Sequence, residues 1–235
     1  MSESAPPPAA SLWEDFIDVF ISPAELFRRR RDGRFGHAIL ALVLVTAVIF
    51  FTTREAMEPI FEAEFQRGMA AQPGFTPEQV EAARTWGRNL APVMVLVGLP
   101  IACLLLGLVV WAVARFFGTG MGYQRGAAIA SFAMFPRLIE GVTNAAQALL
   151  MDQGKLTSLH SLKLGASRFL DPSQSNGIVL ALLGRIDLFT LWVTALIAVG
   201  IREMTSLGTA RAALAAALVW VVGAIPALMQ GLSAR

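Results

Sequence analysis

Long apolar stretches separated by short polar segments run along the whole chain, and five of them have the length of a membrane span. Residues 35–53, 91–114 and 212–234 carry no Asp, Glu, Lys or Arg. Residues 126–151 and 178–201 are equally apolar apart from a few ionisable side chains. An α-helix rises about 1.5 Å per residue, so about 20 residues cross a hydrocarbon core of about 30 Å. The pattern predicts an all-α integral membrane protein, a five-transmembrane-helix bundle.

The polar segments divide the chain into three predicted parts. Residues 1–10 are expected to form a disordered tail, 11–34 a cytoplasmic amphipathic and basic pre-membrane segment, and 35–230 the membrane domain. The predicted spans cover residues 35–54, 90–115, 126–151, 178–202 and 211–231. Charged residues make up only 15% of the chain and hydrophobic residues 55%. This composition leaves no room for a separate soluble catalytic domain.

Two capping sequences predict short helices ahead of the first span. Ser11 precedes Glu14 by three positions, and Ser22 precedes Glu25 in the same way, as in a capping box. The first of these helices has an apolar face and an acidic face. Because the polar face is acidic, we expect it to pack against the basic segment of the same chain rather than adsorb to anionic lipid.

A cluster of arginines directly precedes the first span. It comprises Arg28, Arg29, Arg30, Arg31 and Arg34. Basic residues beside the first span favour the cytoplasmic side, so we expect the N-terminus inside and, after five crossings, the C-terminus outside. The cluster has two interpretations: a topology signal alone, or a site that recognises anionic lipid headgroups.

Polar side chains line one face of the third and of the fourth predicted span. They are Arg137, Glu140, Asn144, Gln147, Arg185, Asp187, Thr190 and Thr194. Pro136 lacks a backbone donor, so we expect a kink near the centre of the third span. A charge that faces lipid costs at least about 2.5–3.5 kcal/mol, so the two arginines and two carboxylates should face inward as one neutral cluster. This cluster is either a structural clamp between two helices or a polar path or substrate site.

The connections between the spans carry their own signals. Thr76, followed by Pro77 and Gln79, predicts a capped helix that leads directly into the second span. Three glycines within residues 118–122 predict a tight turn between the second and third spans. Weak alternation of apolar and polar residues within residues 152–184 predicts a short hairpin over the bundle.

The sequence has no motif for catalysis or metal binding. His37 and His160 fall on opposite sides of the predicted membrane, and Cys103 has no second cysteine to pair with. We find no zinc-protease, nucleophile-elbow or phosphate-loop motif. We therefore expect no enzyme activity, catalytic residue, metal or cofactor. The net charge of +2 is too small to suggest nucleic acid as a partner.

Short motifs in a fixed order suggest a family. An Asp-Leu-Phe-x-x-Trp sequence at 187–192 enters the fourth span, and Gly200 lies just before the basic turn that follows it. A Ser-Pro-x-x-x-Phe sequence occupies 22–27, and a Ser-Phe-Ala-x-x-Pro sequence occupies 131–136. Together with five spans, these motifs resemble the Yip domain family of Ypt/Rab-interacting membrane proteins, in its bacterial branch. The resemblance covers residues 22–230.

The resemblance implies a multi-pass protein of the bacterial inner membrane with a cytoplasmic N-terminus and a periplasmic C-terminus. Eukaryotic relatives are linked to Rab-type GTPases and vesicle formation, but a bacterium lacks Rab proteins and the short N-terminal segment has no evident docking motif. We expect a non-enzymatic membrane-organising or adaptor protein that binds membrane lipids, a membrane-protein partner or a second copy of itself. The alternative is a channel or transporter for ions or lipids along the polar stripe.

Overall fold

Helices and the loops between them account for the described part of the chain, which is residues 12–70, 74–152, 156, 158–172 and 174–233 of a computed structural model. In chain order these helices are α1 (Leu12–Ile21), α2 (Pro23–Arg29), α3 (Gly36–Ala70), α4 (Pro77–Val93), α5 (Leu99–Phe116), α6 (Tyr123–Ala133), α7 (Pro136–Leu150), α8 (Gly177–Leu183), α9 (Leu188–Met204), α10 (Thr209–Val222) and α11 (Ile225–Ser233). The predicted disordered tail and Ser11 of the first capping sequence lie outside the described residues.

Three helical segments of the described chain are long and apolar enough to cross a membrane: Gly36–Ala70, Pro77–Phe116 and Thr209–Met229. The second of these joins α4 to α5 through a π-helical turn at Met94–Gly98. Pro100 follows this turn and has no N–H to donate, which favours a wider turn of backbone before it. The capped helix that leads into the second span is therefore confirmed. Five spans remain a prediction.

The cap of α4 forms as the sequence predicts. Thr76 Oγ1 accepts a hydrogen bond from Gln79 N at 3.4 Å, and Gln79 Oε1 accepts one from Thr76 N at 2.9 Å. At α2 the outcome differs. Ser22 occupies the N-cap position, but its side chain makes no capping hydrogen bond, and Pro23 begins the helix with its fixed φ instead.

The third and fourth apolar stretches are each interrupted. Residues 134–135 separate α6 from α7, immediately before Pro136, and residues 184–187 separate α8 from α9. Pro136 cannot donate to the preceding turn, so the expected kink becomes a break between two helices. Each piece alone is too short to cross a bilayer, which is why length and hydropathy do not identify these two stretches as spans.

Two boundaries differ from the sequence prediction. Helix α3 continues to Ala70, well past the predicted end of the first span at residue 54, because the segment beyond it is rich in helix-forming Glu, Ala and Met. The predicted hairpin in residues 152–184 is wrong. The described residues there form 3₁₀ turns at Leu159–Leu162 and Ala166–Phe169, with Leu162 buried against Ile60 of α3.

Helix α6 lies at the centre of the bundle, with every residue from Gly126 to Ala133 buried. Its closest neighbour is α5. A Cβ on Gly107 would lie 2.6 Å from Ala127 Cα, and a Cβ on Gly126 would lie 2.6 Å from Gly107 O. Apolar lipid provides no hydrophobic drive for helix association, so such small residues stabilise the bundle by letting backbones approach.

The N-terminal helices pack against this core through aromatic side chains. Phe16 stacks on Phe135 with ring centroids 5.4 Å apart, and Phe20 meets Trp192 edge-on at 5.7 Å. The expected amphipathic helix is thus docked on the bundle.

One end of the bundle gathers the arginine cluster and two short loops. Arg125 Nε donates to Arg31 O at 2.8 Å, and Arg211 Nη2 donates to Phe117 O at 3.1 Å. These contacts join residues 28–34 to the start of α6, and the start of α10 to the α5–α6 loop (117–122), beside the α9–α10 loop (205–208). We call this the arginine-rich end. Gly118, with φ +83°, forms the predicted glycine turn there.

The close contact of α5 and α6 gives a first prediction. Gly107→Ala is expected to destabilise the protein by about 1–3 kcal/mol, because the new methyl overlaps the α6 backbone. Gly87→Ala in α4 is the matched control: nothing lies within 4 Å of its Cβ position. Alanine there is expected to stabilise the helix by up to about 1 kcal/mol. Thermal unfolding in detergent measures the Tm of both variants. Equal changes in Tm of the same sign for Gly107→Ala and Gly87→Ala would contradict the close contact.

Candidate functional site

The polar residues of α7 and α9 form a network inside the bundle. Arg137 lies in the first turn of α7, where its Nη1 donates to Glu140 Oε2 one turn later. Its Nη2 donates to Thr190 Oγ1 of α9 at 2.9 Å, and the Thr190 hydroxyl donates to Asp187 Oδ2. Arg137 therefore reaches Asp187 through a threonine hydroxyl rather than directly.

Asp187 also caps the N-terminus of α9, which the break before this helix creates. The break creates a helix N-terminus within the bundle, whose first N–H groups need acceptors. Asp187 Oδ1 accepts from Phe189 N at 3.0 Å and from Thr190 N at 3.2 Å. A carboxylate is the favourable group at this position, because it matches the positive end of the helix dipole.

Lys163 completes the network and was missed by sequence reasoning. Its Nζ lies 3.6 Å from Glu140 Oε1 and 4.0 Å from Asp187 Oδ2. The loop carrying it reaches this depth because Gly165 forms an isolated antiparallel bridge with Asp187. A Cβ on Gly165 would lie 2.3 Å from Ile186 O. The two cations and two carboxylates balance, with the carboxylates more deeply buried than the cations.

Arg185 makes no hydrogen bond or ion pair with the other three charged residues among the described contacts, which corrects the predicted four-residue cluster. Its Nη2 donates to Trp220 O at 2.9 Å, and its guanidinium lies 5.6 Å from the centre of the Trp220 ring. The break at residues 184–187 interrupts the helical periodicity that the prediction relied on. Arg185 therefore turns toward α10, where Gly223 leaves room for the guanidinium.

Of the remaining predicted residues, Gln147 and Thr194 make hydrogen bonds beside the network. Gln147 Nε2 donates to Leu162 O at 2.9 Å, which fixes the loop onto α7. Thr194 Oγ1 donates to Thr190 O at 2.8 Å, a bond within α9. Asn144 is half-buried on α7, and the contacts of the described residues do not include it in the network.

The donor set of this site suits ion pairing and helix clamping. Among the described residues, no three His, Cys, Asp or Glu side chains lie close enough together to hold a metal ion. Cys103 is buried in apolar surroundings on α5, where a thiol behaves as a small hydrophobic group. The network joins α7, α9 and the 158–172 loop, and its two cations retain partial exposure at its edge.

A second charged site holds the N-terminal helices in place. Asp15 of α1 is fully buried. Arg29 Nη2 donates to its Oδ1 at 3.2 Å, Arg30 Nε donates to its Oδ2 at 2.7 Å, and His37 Nε2 lies 3.3 Å from Oδ2. The acidic face of α1 thus packs on the basic segment, as its composition predicts.

The other arginines of the cluster extend this site to α9. Arg28 Nε donates to Glu203 Oε2 at 2.7 Å, and Arg31 Nε donates to Glu203 O at 2.7 Å. Arg34 is exposed and pairs with Asp32 at 3.2 Å. The hydrogen bond from Arg28, together with Arg202, lowers the pKa of the Glu203 carboxyl. All five arginines of the cluster therefore contact groups of the protein itself, and all but Arg34 contact Asp15 or Glu203.

The bundle of apolar helices, with its polar groups turned toward one another, defines a helical membrane protein. The chain belongs to the Yip1 domain family, whose pattern matches residues 17–229. No curated protein and no solved structure matches it. Family membership confirms the resemblance that the short motifs indicated.

The threonine bridge between Arg137 and Asp187 can be tested. Thr190→Val keeps the shape of the side chain but removes the hydroxyl, which leaves a donor on Arg137 and an acceptor on Asp187 without their partner. We expect a loss of about 1–3 kcal/mol in the free energy of unfolding. Thr194→Val is the control, because its hydroxyl bonds only within α9, and should cost less than about 1 kcal/mol. Thermal unfolding measures the stability of both variants, and equal losses for Thr190→Val and Thr194→Val would contradict the bridging role of Thr190.

The Glu203 contact predicts a pH dependence. Because the folded state lowers the pKa of this carboxyl, the stabilisation is complete above the unfolded value of about 4.3. It is lost as the pH falls through the lower folded value. Glu203→Gln is expected to lower Tm at pH 7 and to reduce the fall in Tm on acidification. Glu25→Gln, which changes an exposed residue of α2, is the control. On acidification its Tm should fall as much as that of the unmodified protein.

Proposed function

We propose that this chain is a non-enzymatic membrane-organising or adaptor protein of the bacterial inner membrane. It crosses the membrane five times, with the N-terminus and the arginine-rich end in the cytoplasm and the C-terminus in the periplasm. The third span consists of residues 126–151 of α6 and α7, and the fourth of residues 178–202 of α8 and α9. Each pair together exceeds the roughly 20 residues that a crossing needs.

The observation that carries this proposal is the second apolar face of α1. Its inner face packs on the bundle through Phe16 and Phe20. Its outer face exposes Trp13, Ile17 and Ile21, which are 77%, 57% and 71% exposed. Residues spaced by four lie on one side of a helix. A helix at the level where the first span begins, with such a face, suits insertion among the acyl chains of the adjacent leaflet.

The ion pairs of Asp15 make this helix a rigid part of the protein. A helix that only adsorbs can leave the membrane surface, whereas α1 is bound to the segment 29–30 through the ion pairs of Asp15 with Arg29 and Arg30. Its apolar outer face therefore adds fixed volume to one leaflet. Unequal volume in the two leaflets is the physical basis for shaping a membrane, and an exposed apolar face also suits a membrane-protein partner.

Vesicle size tests this proposal. The protein is reconstituted at a fixed ratio to lipid, and the diameter distribution is measured by electron microscopy. We expect the unmodified protein to give smaller vesicles than the double variant Ile17→Ser, Ile21→Ser, which removes the apolar outer face. The control is Leu149→Ser, Leu150→Ser, which removes two exposed leucines from the far end of α7. Equal diameters for the protein and the α1 variant would contradict the proposal.

A channel or transporter is the second candidate, supported by the partly exposed Arg137 and Lys163 at the edge of the network. The same vesicles discriminate between the two functions. Flux of ions or lipid above that of empty vesicles, lost in Arg137→Gln or Glu140→Gln, would favour transport. A membrane-organising protein gives no such flux, and its effect on vesicle size does not depend on these two residues.

A further inference from the structure

A cavity of about 470 Å³ opens at the arginine-rich end, where the segment 28–34 meets the α5–α6 and α9–α10 loops. Its lining includes Arg31, Thr119, Gly120, Arg125, Thr205 and Ser206. The cavity is distinct from the network around Asp187 and from the contacts of Asp15, and neither site uses Arg125.

Both guanidiniums of the cavity are held in place through one nitrogen. Arg31 Nε donates to Glu203 O at 2.7 Å, and Arg125 Nε donates to Arg31 O at 2.8 Å. Within the described part of the chain, the terminal Nη atoms of both residues have no acceptor. Each side chain is thus oriented by the protein while its two terminal nitrogens stay available to a ligand.

The remainder of the lining favours a negatively charged ligand. No carboxylate lines the cavity among the described residues. The carboxylate of Glu203, whose backbone orients Arg31, is already engaged by Arg28 and Arg202. The hydroxyls of Thr119 and Thr205 donate to Ala114 O and Ile201 O, so they maintain the shape of the two loops.

We infer that this cavity binds a phosphate group through Arg31 and Arg125. Two oriented guanidiniums provide paired N–H donors that match the oxygens of a phosphate, and a water-exposed opening admits the rest of the ligand. The phosphate belongs either to the headgroup of an anionic lipid or to a soluble phosphate compound. A lipid ligand rests on the proposed function, because that function places the arginine-rich end at the cytoplasmic surface of the membrane, where lipid headgroups lie.

The test uses the full chain in detergent and follows Tm during titration. One arm adds inorganic phosphate or pyrophosphate, and the other adds phosphatidylglycerol, with phosphatidylcholine for comparison. We expect a saturable rise in Tm in at least one arm and an apparent Kd at least about tenfold weaker in Arg125→Gln. A rise in the first arm identifies a soluble phosphate as a ligand. A rise with phosphatidylglycerol but not with phosphatidylcholine or free phosphate identifies the lipid.

Arg115→Gln is the matched control. It removes the same charge from the same end of the bundle, and Arg115 lies outside the lining of the cavity. Equal weakening in Arg115→Gln and Arg125→Gln would overturn the inference, because it would show attraction by general surface charge. No rise in Tm in either arm would also overturn it. Vesicle size is also measured with Arg125→Gln. A diameter equal to that of the unmodified protein shows that the α1 proposal holds independently of phosphate binding at this cavity.

Discussion

Hydrocarbon offers no hydrogen bonds, and this constraint determines the interior of the bundle. A helix that begins within it must find acceptors for its first N–H groups from the protein itself. Asp187 provides them for α9, and its second oxygen accepts from Thr190, which in turn binds Arg137. The loop that brings Lys163 to the same carboxylate is fixed by the bridge at Gly165. The start of α9, the depth of the loop and the joining of α7 to α9 thus all involve one residue, Asp187.

Buried carboxylates are also paired at the arginine-rich end, where the carboxylates and the arginines come from different parts of the sequence. Asp15 and Glu203 are the buried carboxylates there, and residues 28–31 bind both of them. An unpaired buried charge costs far more than a paired one, so removing either partner leaves a large penalty. A cluster that sequence analysis interprets as a topology signal or a lipid site is therefore also the attachment of α1 and α2 to the bundle.

Most of the helical architecture is predictable from local patterns. The capped start of α4, the glycine turn at Gly118 and the weakness at Pro136 follow from residue chemistry within a few positions. The network was predictable only in part. Helical periodicity placed Arg137 and Asp187 correctly but failed for Arg185, because it cannot foresee a break at residues 184–187. Lys163 carries no local signal, since a loop bridge sets its position. Likewise, alternation in the loop reflects the burial of Leu162 rather than strand pairing.

The partners of Arg137 also bear on how the protein is made. Ribosomes release the third apolar stretch to the insertion machinery before the fourth has been synthesised. At that moment Arg137 has Glu140 on its own helix but lacks Thr190 and, through it, Asp187, so integration of this stretch alone is less favourable than integration with its partners. In the proposed five-span arrangement, the two interrupted stretches therefore enter the bilayer together, as a late cooperative step in biogenesis. A nascent chain halted before residue 190 would remain an incompletely integrated substrate for quality-control proteases.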